Sequence, residues 1–240
     1  MGLKASMILV KPLPDITDSE LLQKLGFGYF DYVGETTLED CIYPSDKSVS
    51  IGRYNGCLII CDDYLLTTSL ESTKTPQNLC SDEQILTELF PQSEILSIAC
   101  HSVTNYHLYA LAKGTARIRY KSLSADTPLV EAGNRIEEEM EIYAGSKIIN
   151  GIRLFKADLD DEQTYEYTED QLMEDFAFGV AKRHLGVKIS NFEDEELMFD
   201  TSFRKYKKGA AAVRGNAGKH AEERTADEGT GLKKPWWKVW

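Results

Sequence analysis

SVSIGRYNGCLIICDD, residues 48–63, reads as two strands folded about Asn55-Gly56. A two-residue type I′ turn needs positive φ at both central positions, which Asn and Gly tolerate, so this pair predicts a hairpin and its register together. The register sets Tyr54 opposite Cys57, Ile51 opposite Ile60 and Val49 opposite Asp62. Both faces of the ribbon are largely apolar, which places it in the middle of a sheet.

A second ribbon follows in HSVTNYHLYALAKGTARIRYKSLSAD, residues 101–126, where Lys113-Gly114 can turn the chain. A two-residue loop there pairs Leu111 with Ala116, Tyr109 with Ile118 and His107 with Tyr120, and leaves Arg117, Arg119 and Lys121 on the other face. That alternation predicts a sheet wet on one side.

Helix starts are legible between the ribbons. Thr17 with Glu20 forms a capping box, Ile16 and Leu21 take staple positions and Gly26 follows the last apolar residue, predicting a helix over 18–25. Ser81 with Gln84 repeats the device ahead of ILTELF, which Pro91 ends. Thr168 with Gln171 opens a stripe of Leu172, Met173, Phe176, Ala177, Val180 and Ala181, with Lys182 and Arg183 before Gly186, predicting a helix over 169–185. Together these elements predict an α+β fold: a mostly antiparallel sheet of β-hairpins with helices packed on one face. It spans residues 1–203, with 151–203 a candidate helical subdomain packed on it.

The chain has 240 residues, 42% of them hydrophobic, enough for a substantial core. It has no apolar run of about 18 residues, and its opening apolar stretch is too short for a signal peptide, so a cytoplasmic protein is expected. MGLKAS fits the myristoylation pattern, with Gly2 and Ser6 in place, but ASMILV behind it reads as a strand. Cys41, Cys57, Cys61, Cys80 and Cys100 are odd in number and form no CxxC pair, which predicts reduced, mostly buried thiols.

Of the net charge of −12, residues 204–240 carry +6, from ten Lys and Arg against four acids, leaving −18 for residues 1–203. Such a body repels nucleic acid, so no nucleic-acid partner is expected. From about Lys207 the apolar pattern stops, and residues 204–240 read as a flexible, disordered basic linker.

The opening MGLK, VGETTLEDCIYP at 33–44, IGRYNGCLIICDD at 51–63, the run at 101–126 and RHLGV at 183–187 together resemble a bacterial family known only as a domain of unknown function. The resemblance spans roughly residues 1–190. It implies a bacterial cytosolic protein and supplies no activity.

Candidate chemistry begins at His101, a group that titrates near neutral pH, with Ser102 beside it as a nucleophile type. Extending the second ribbon's register sets Asp126 opposite His101, the geometry by which a carboxylate orients an imidazole base. Ser102 points to the other face of a regular strand and cannot serve that imidazole. His107 lies roughly 20 Å further along an extended strand and reads as a core histidine. Cys57 and Cys61, about 13 Å apart on one strand face, are too far apart for zinc and read as small fillers, with the small residues Gly52 and Ser50 across the hairpin. Asp62 and Asp63 are an acid-base or magnesium pair by type, but adjacent strand positions diverge and solvated strand ends are the simpler expectation. The acidic runs Glu137 to Glu141 and Asp158 to Glu162 lack calcium-loop spacing and read as solvated faces. GFGYF at 26–30 lacks the remaining residues of a phosphate loop. No metal site and no cofactor are expected.

All three tryptophans stand in the closing KKPWWKVW, at Trp236, Trp237 and Trp240, flanked by Lys233, Lys234 and Lys238. Trp is a favoured interface anchor, and the lysines steer it toward an acidic surface or anionic headgroups. The expected role is a non-enzymatic cytosolic binding or interaction protein whose tethered peptide docks on its own body, a neighbouring subunit, another protein or, less favoured, a membrane interface. The alternative is a hydrolase-like enzyme using His101 and Asp126, with Asp62 nearby.

Overall fold

A computed structural model of the chain describes residues 4–43, 45–71, 75–125, 127–156, 165–189 and 194–209. In chain order the elements are β1 (Lys4–Lys11), α1 (Asp18–Lys24), β2 (Phe30–Thr36), α2 (Leu38–Ile42), β3 (Val49–Tyr54), β4 (Cys57–Asp62), α3 (Thr68–Glu71) and α4 (Ser81–Leu89). They continue with β5 (Glu94–His101), β6 (Tyr106–Lys113), β7 (Ala116–Leu123), β8 (Val130–Gly133), α5 (Glu137–Ala144), β9 (Ser146–Ile149), β10 (Ile152–Lys156), β11 (Tyr165–Tyr167), α6 (Met173–Leu185) and β12 (Phe203–Lys208). The main antiparallel sheet runs β2-β12-β3-β4-β1-β5-β6-β7-β8, and a small sheet runs β11-β10-β9. This is the expected α+β class.

The Asn55-Gly56 hairpin holds residue for residue: Tyr54 pairs with Cys57, Ile51 with Ile60 and Val49 with Asp62. Asn55 and Gly56 take φ of 47° and 69°, as a type I′ turn demands. The ribbon lies between β12 and β1, with both faces buried. Met7, Leu9, Ile59, Ile98 and Tyr109 enter one core with α2, α5 and α6. Ile8, Val10, Val49, Ile51 and Ile60 enter another with Leu21 and Leu22 of α1 and Leu86 of α4. Helices therefore cover both faces, where the sequence pointed to one, because the central strands carry apolar residues on both sides.

The second ribbon departs from its expected register. Gly114, at φ 58°, takes the first loop position, so Lys113 pairs with Ala116. A bulge then leaves Ile118 unpaired: Ala112 pairs with Arg117 and Leu111 with Arg119, setting Tyr109 opposite Lys121 and His107 opposite Leu123. Arg117, Arg119 and Lys121 are consequently buried rather than on a wet face. The bulge also sends Arg117 to α4 on one face and Arg119 to α5 on the other.

Helix α1 starts at the Thr17 capping box. Cys80, not Ser81, is the N-cap of α4, with Glu83 bonding back to its backbone N–H at 2.9 Å. Thr168 and Gln171 form their box over a 3₁₀ turn, Glu169–Leu172, that leads into α6. Gly186 ends α6 at φ 83°, and Asn55 Nδ2 and Lys11 Nζ donate to the Leu185 and His184 carbonyls at 2.8 and 2.6 Å. Phe176, Val180 and Ala181 share a core with the main sheet, so α6 packs on that sheet as expected.

The expected boundary at 203/204 falls inside an element. Residues Phe203–Lys208 form β12, paired with both β2 and β3, rather than the start of a linker. Phe203 turns to one core and Tyr206 to the other, so their spacing of three hides the strand's period of two. Four of the tail's ten expected basic residues, Arg204, Lys205, Lys207 and Lys208, belong to this strand. Residues 210–240 lie outside the described residues. Among the described residues no helix is long and apolar enough to cross a membrane.

Candidate functional site

His101 ends β5, paired with Lys4 of β1 and Tyr106 of β6. A 3₁₀ turn, Ser102–Thr104, returns the chain, so His107 lies on the neighbouring strand opposite Cys100. The two histidines thus stand one register step apart on neighbouring strands and face opposite sides of the sheet, where one continuous strand would separate them by roughly 20 Å. The register expected to bring Asp126 opposite His101 does not form, since β7 pairs with β6 and not with β5. Asp126 itself lies outside the described residues.

His101 Nδ1 shares a 2.9 Å hydrogen bond with Thr104 Oγ1. Burial, then the charge of Lys4, lowers its pKa. His107 is buried, its Nδ1 has no hydrogen-bond partner, and burial followed by His101 pushes its pKa down to about 4. It is a core histidine, as its sequence setting indicated.

Asp62 is not a solvated strand end. It is 2% exposed, accepts from Ser6 Oγ at 2.5 Å and from the Leu66 N–H at 2.7 Å, and Ser6 in turn meets Thr67 Oγ1 at 2.8 Å. Burial pushes its pKa up to about 6 against these bonds. Asp63 diverges from it, half-buried, and accepts from the Lys47 N–H at 3.0 Å.

The cations of β7 meet carboxylates that α4, α5 and the turn before α6 bring down. Arg119, 1% exposed, donates to Glu139 through Nε and Nη2 at 2.9 and 2.7 Å, and Tyr109 Oη donates to the same carboxylate at 2.6 Å. Lys121 Nζ reaches Glu169 at 2.6 Å and Tyr143 Oη at 3.0 Å, and lies 3.5 Å from the Phe176 ring centroid. Arg117 pairs with buried Glu83 on the opposite face. The run Glu137 to Glu141 is therefore not a uniformly solvated face: Glu139 is fully buried and also caps α5 through the Ile136 N–H at 2.9 Å. Burial lowers the Lys121 pKa against the pull of Glu169. Each member of this network is engaged by another, which suits holding helices to a sheet.

An open groove of about 680 Å³ is lined by α5, α6 and the small sheet. Ile142, Phe155, Leu172 and Val187 supply its apolar lining, and Glu138, Glu141, Asp175, Lys156, Lys182 and Lys188 its charged rim. Gly179 brings the helices close, since a Cβ there would lie 3.2 Å from Ile142 Cδ1. The small sheet also exposes Ile148, Ile149 and Ile152. The sequence reading missed this region although its signal was present. Asn150-Gly151, at φ 52° and 82°, repeats the Asn-Gly turn and pairs Ile149 with Ile152.

All five cysteines are buried and carry free thiols. Among the described residues no group of three or more His, Cys, Asp and Glu is placed to hold a metal ion. The run Asp158 to Glu162 and the tail residues Lys233, Lys234, Trp236, Trp237, Lys238 and Trp240 lie outside the described residues.

The chain matches a family of unknown function (DUF6928) over residues 17–200, and it belongs to that family. Neither the curated proteins nor the solved structures gave a match.

Proposed function

We propose that this family member is a non-enzymatic binding protein whose groove between α5, α6 and the small sheet takes an apolar peptide, first of all its own end carrying Trp236, Trp237 and Trp240. The observation that carries the reading is the groove: an open volume of about 680 Å³ with an apolar lining and a rim of both charge signs, of a size that accepts large side chains. The acid-base candidates support it from the other side. Both Asp62 oxygens accept structural hydrogen bonds and His101 Nδ1 is engaged by Thr104. Taken as the coil that its composition predicts, a linker of about 25 residues after Gly209 has a root-mean-square span near 28 Å, enough to search much of the domain surface. Such tethering gives the peptide a local concentration of about millimolar, so a weak contact is well populated. Lys233, Lys234 and Lys238 meet the acids of the rim in a salt-sensitive way. A partner protein presenting similar chemistry competes for the groove.

Since every tryptophan is in that peptide, intrinsic fluorescence of the full chain tests the reading directly. Emission is expected to be blue-shifted relative to free KKPWWKVW and to move toward it in high salt. Val187→Glu, with circular dichroism unchanged, is expected to cause the same movement. Emission equal to the free peptide at low salt, unaltered by the groove substitution, sinks self-docking.

A further inference from the structure

The main-sheet register builds a row of side chains on the face that α2 covers. Cys61 of β4 pairs with Ser50 of β3, and Ser50 pairs with Lys205 of β12. In-register neighbours on one face hold their Cβ atoms about 4.5–5.5 Å apart, so the row is continuous. Cys41 of α2 comes down on it, in the same buried cluster as Cys61 and lining the same cavity. A cavity of about 40 Å³ touches both cysteines and is otherwise walled largely by polar groups, Ser50, Lys205 and Asp46 among them. That volume admits a water or a molecule little larger.

The other three cysteines sit differently. Burial pushes the Cys57 thiol up to about 12 and Cys80 up to about 11, and raises Cys100 further. Cys41 moves the opposite way. Its sulfur is stabilised as thiolate first by the Cys61 thiol, then by the Ser50 hydroxyl and the Lys205 charge, against burial and Asp40. Lys205 also pairs with Asp46 at 2.8 Å, which orients it at the cavity. Cys61 keeps its proton, raised by that same contact and by full burial. A thiol that gives up its proton more readily, beside a partner that holds its own, is the arrangement of an attacking and a resolving cysteine.

We propose that Cys41 and Cys61 form a peroxide-reactive dithiol that closes to a disulfide tying α2 to β4. The Cys41 sulfur attacks one oxygen of a hydroperoxide. The S–O bond forms as the O–O bond breaks, and the leaving oxygen takes the Cys41 proton to depart as an alcohol, or as water from hydrogen peroxide. The Cys61 sulfur then attacks the sulfenic acid, the S–S bond forms as S–O breaks, and hydroxide leaves with the Cys61 proton as water. Two thiols and one hydroperoxide thus give one disulfide, one alcohol and one water.

The test treats the full chain with hydrogen peroxide, quenches in denaturant with an alkylating agent and reads each cysteine by mass spectrometry. Cys41 and Cys61 are expected to disappear together into one linked peptide pair, recovered by dithiothreitol, at least about tenfold faster than Cys57, Cys80 or Cys100 react. In Cys61→Ser, Cys41 is expected to stop at the sulfenic acid and be captured by dimedone. Lys205→Met is expected to slow Cys41 several-fold. Oxidation spread evenly over the five cysteines overturns the proposal, and so does a folded wild-type chain whose Cys41 and Cys61 stay alkylatable while other thiols react. Neither outcome depends on a variant folding.

Discussion

The β3–β4 ribbon fills both sheet faces with Val49, Ile51, Leu58, Ile59 and Ile60, whereas the β6–β7 ribbon, beyond β1 and β5, sends Arg117, Arg119 and Lys121 into layers of comparable depth. The apolar ribbon needs only area to cover it, and any well-shaped helix supplies that. The cationic ribbon needs named partners, because a buried charge without a counter-ion is strongly unfavourable. Glu83, Glu139 and Glu169 come from α4, α5 and the turn before α6, so this ribbon dictates which helix residue sits over which strand residue.

The largest test of that contrast removes one side of a buried pair. Arg119→Met leaves Glu139 buried without its cation and is expected to lower unfolding free energy by about 3–5 kcal/mol in chemical denaturation. Adding Glu139→Leu is expected to restore much of the loss. A double variant as unstable as the sum of the two singles would mean that the pair is not coupled.

At the end of the apolar ribbon, Asp62 gives a pH signature. Its folded pKa, about 6, stands above the ordinary 3.8. Its contribution to stability is therefore fully present below about pH 3.8 and lost as pH rises through 6. The gap of roughly two units corresponds to about 3 kcal/mol. Asp62→Asn, which does not titrate, is expected to gain on wild type between about pH 4 and 7. A difference independent of pH would show that Asp62 ionises alike in the folded and unfolded chain.

A smaller effect is expected at Gly52. A Cβ there would lie 2.5 Å from the Phe203 ring, which crosses from β12. Gly52→Ala is expected to cost about 1–3 kcal/mol through overpacking, and Phe203→Ala made with it is expected to abolish that increment. A free-standing Gly52→Ala penalty would assign it to the β3 backbone instead.

The smallest pair compares the two turns. Gly114→Ala places a side chain at φ 58° and is expected to cost about 1 kcal/mol. Asn55→Ala loses both the turn preference and the bond to the Leu185 carbonyl, so about 1–2 kcal/mol is expected. Equal losses in thermal melts would mean that the Asn55 contact to α6 adds nothing.

Much of the main architecture was legible where the information is local. Asn55-Gly56 fixed a register because its backbone can turn in few ways, and the Thr17 box fixed a helix start by two bonds within one turn. The same Asn-Gly signal at 150–151 went unread, and with it the small sheet that borders the groove. Of the candidate site residues, Asp62 and His101 were found by type, but their surroundings were not, since Ser6 and Lys4 reach them from distant parts of the chain.

The sequence by itself determined the α+β class, the first hairpin, the start of α1 and the burial of the cysteines, because turn geometry, capping and side-chain periodicity act over a few residues. Only the tertiary structure decided that β12 inserts between β2 and β3, that a bulge at Ile118 turns Arg117 and Arg119 to opposite faces, and that Cys41 and Cys61 line one cavity. A strand with one apolar residue for each of two cores carries no periodic signal. A lysine or arginine in a strand looks the same in sequence whether water or a buried carboxylate receives it, and that choice is made by elements elsewhere in the chain.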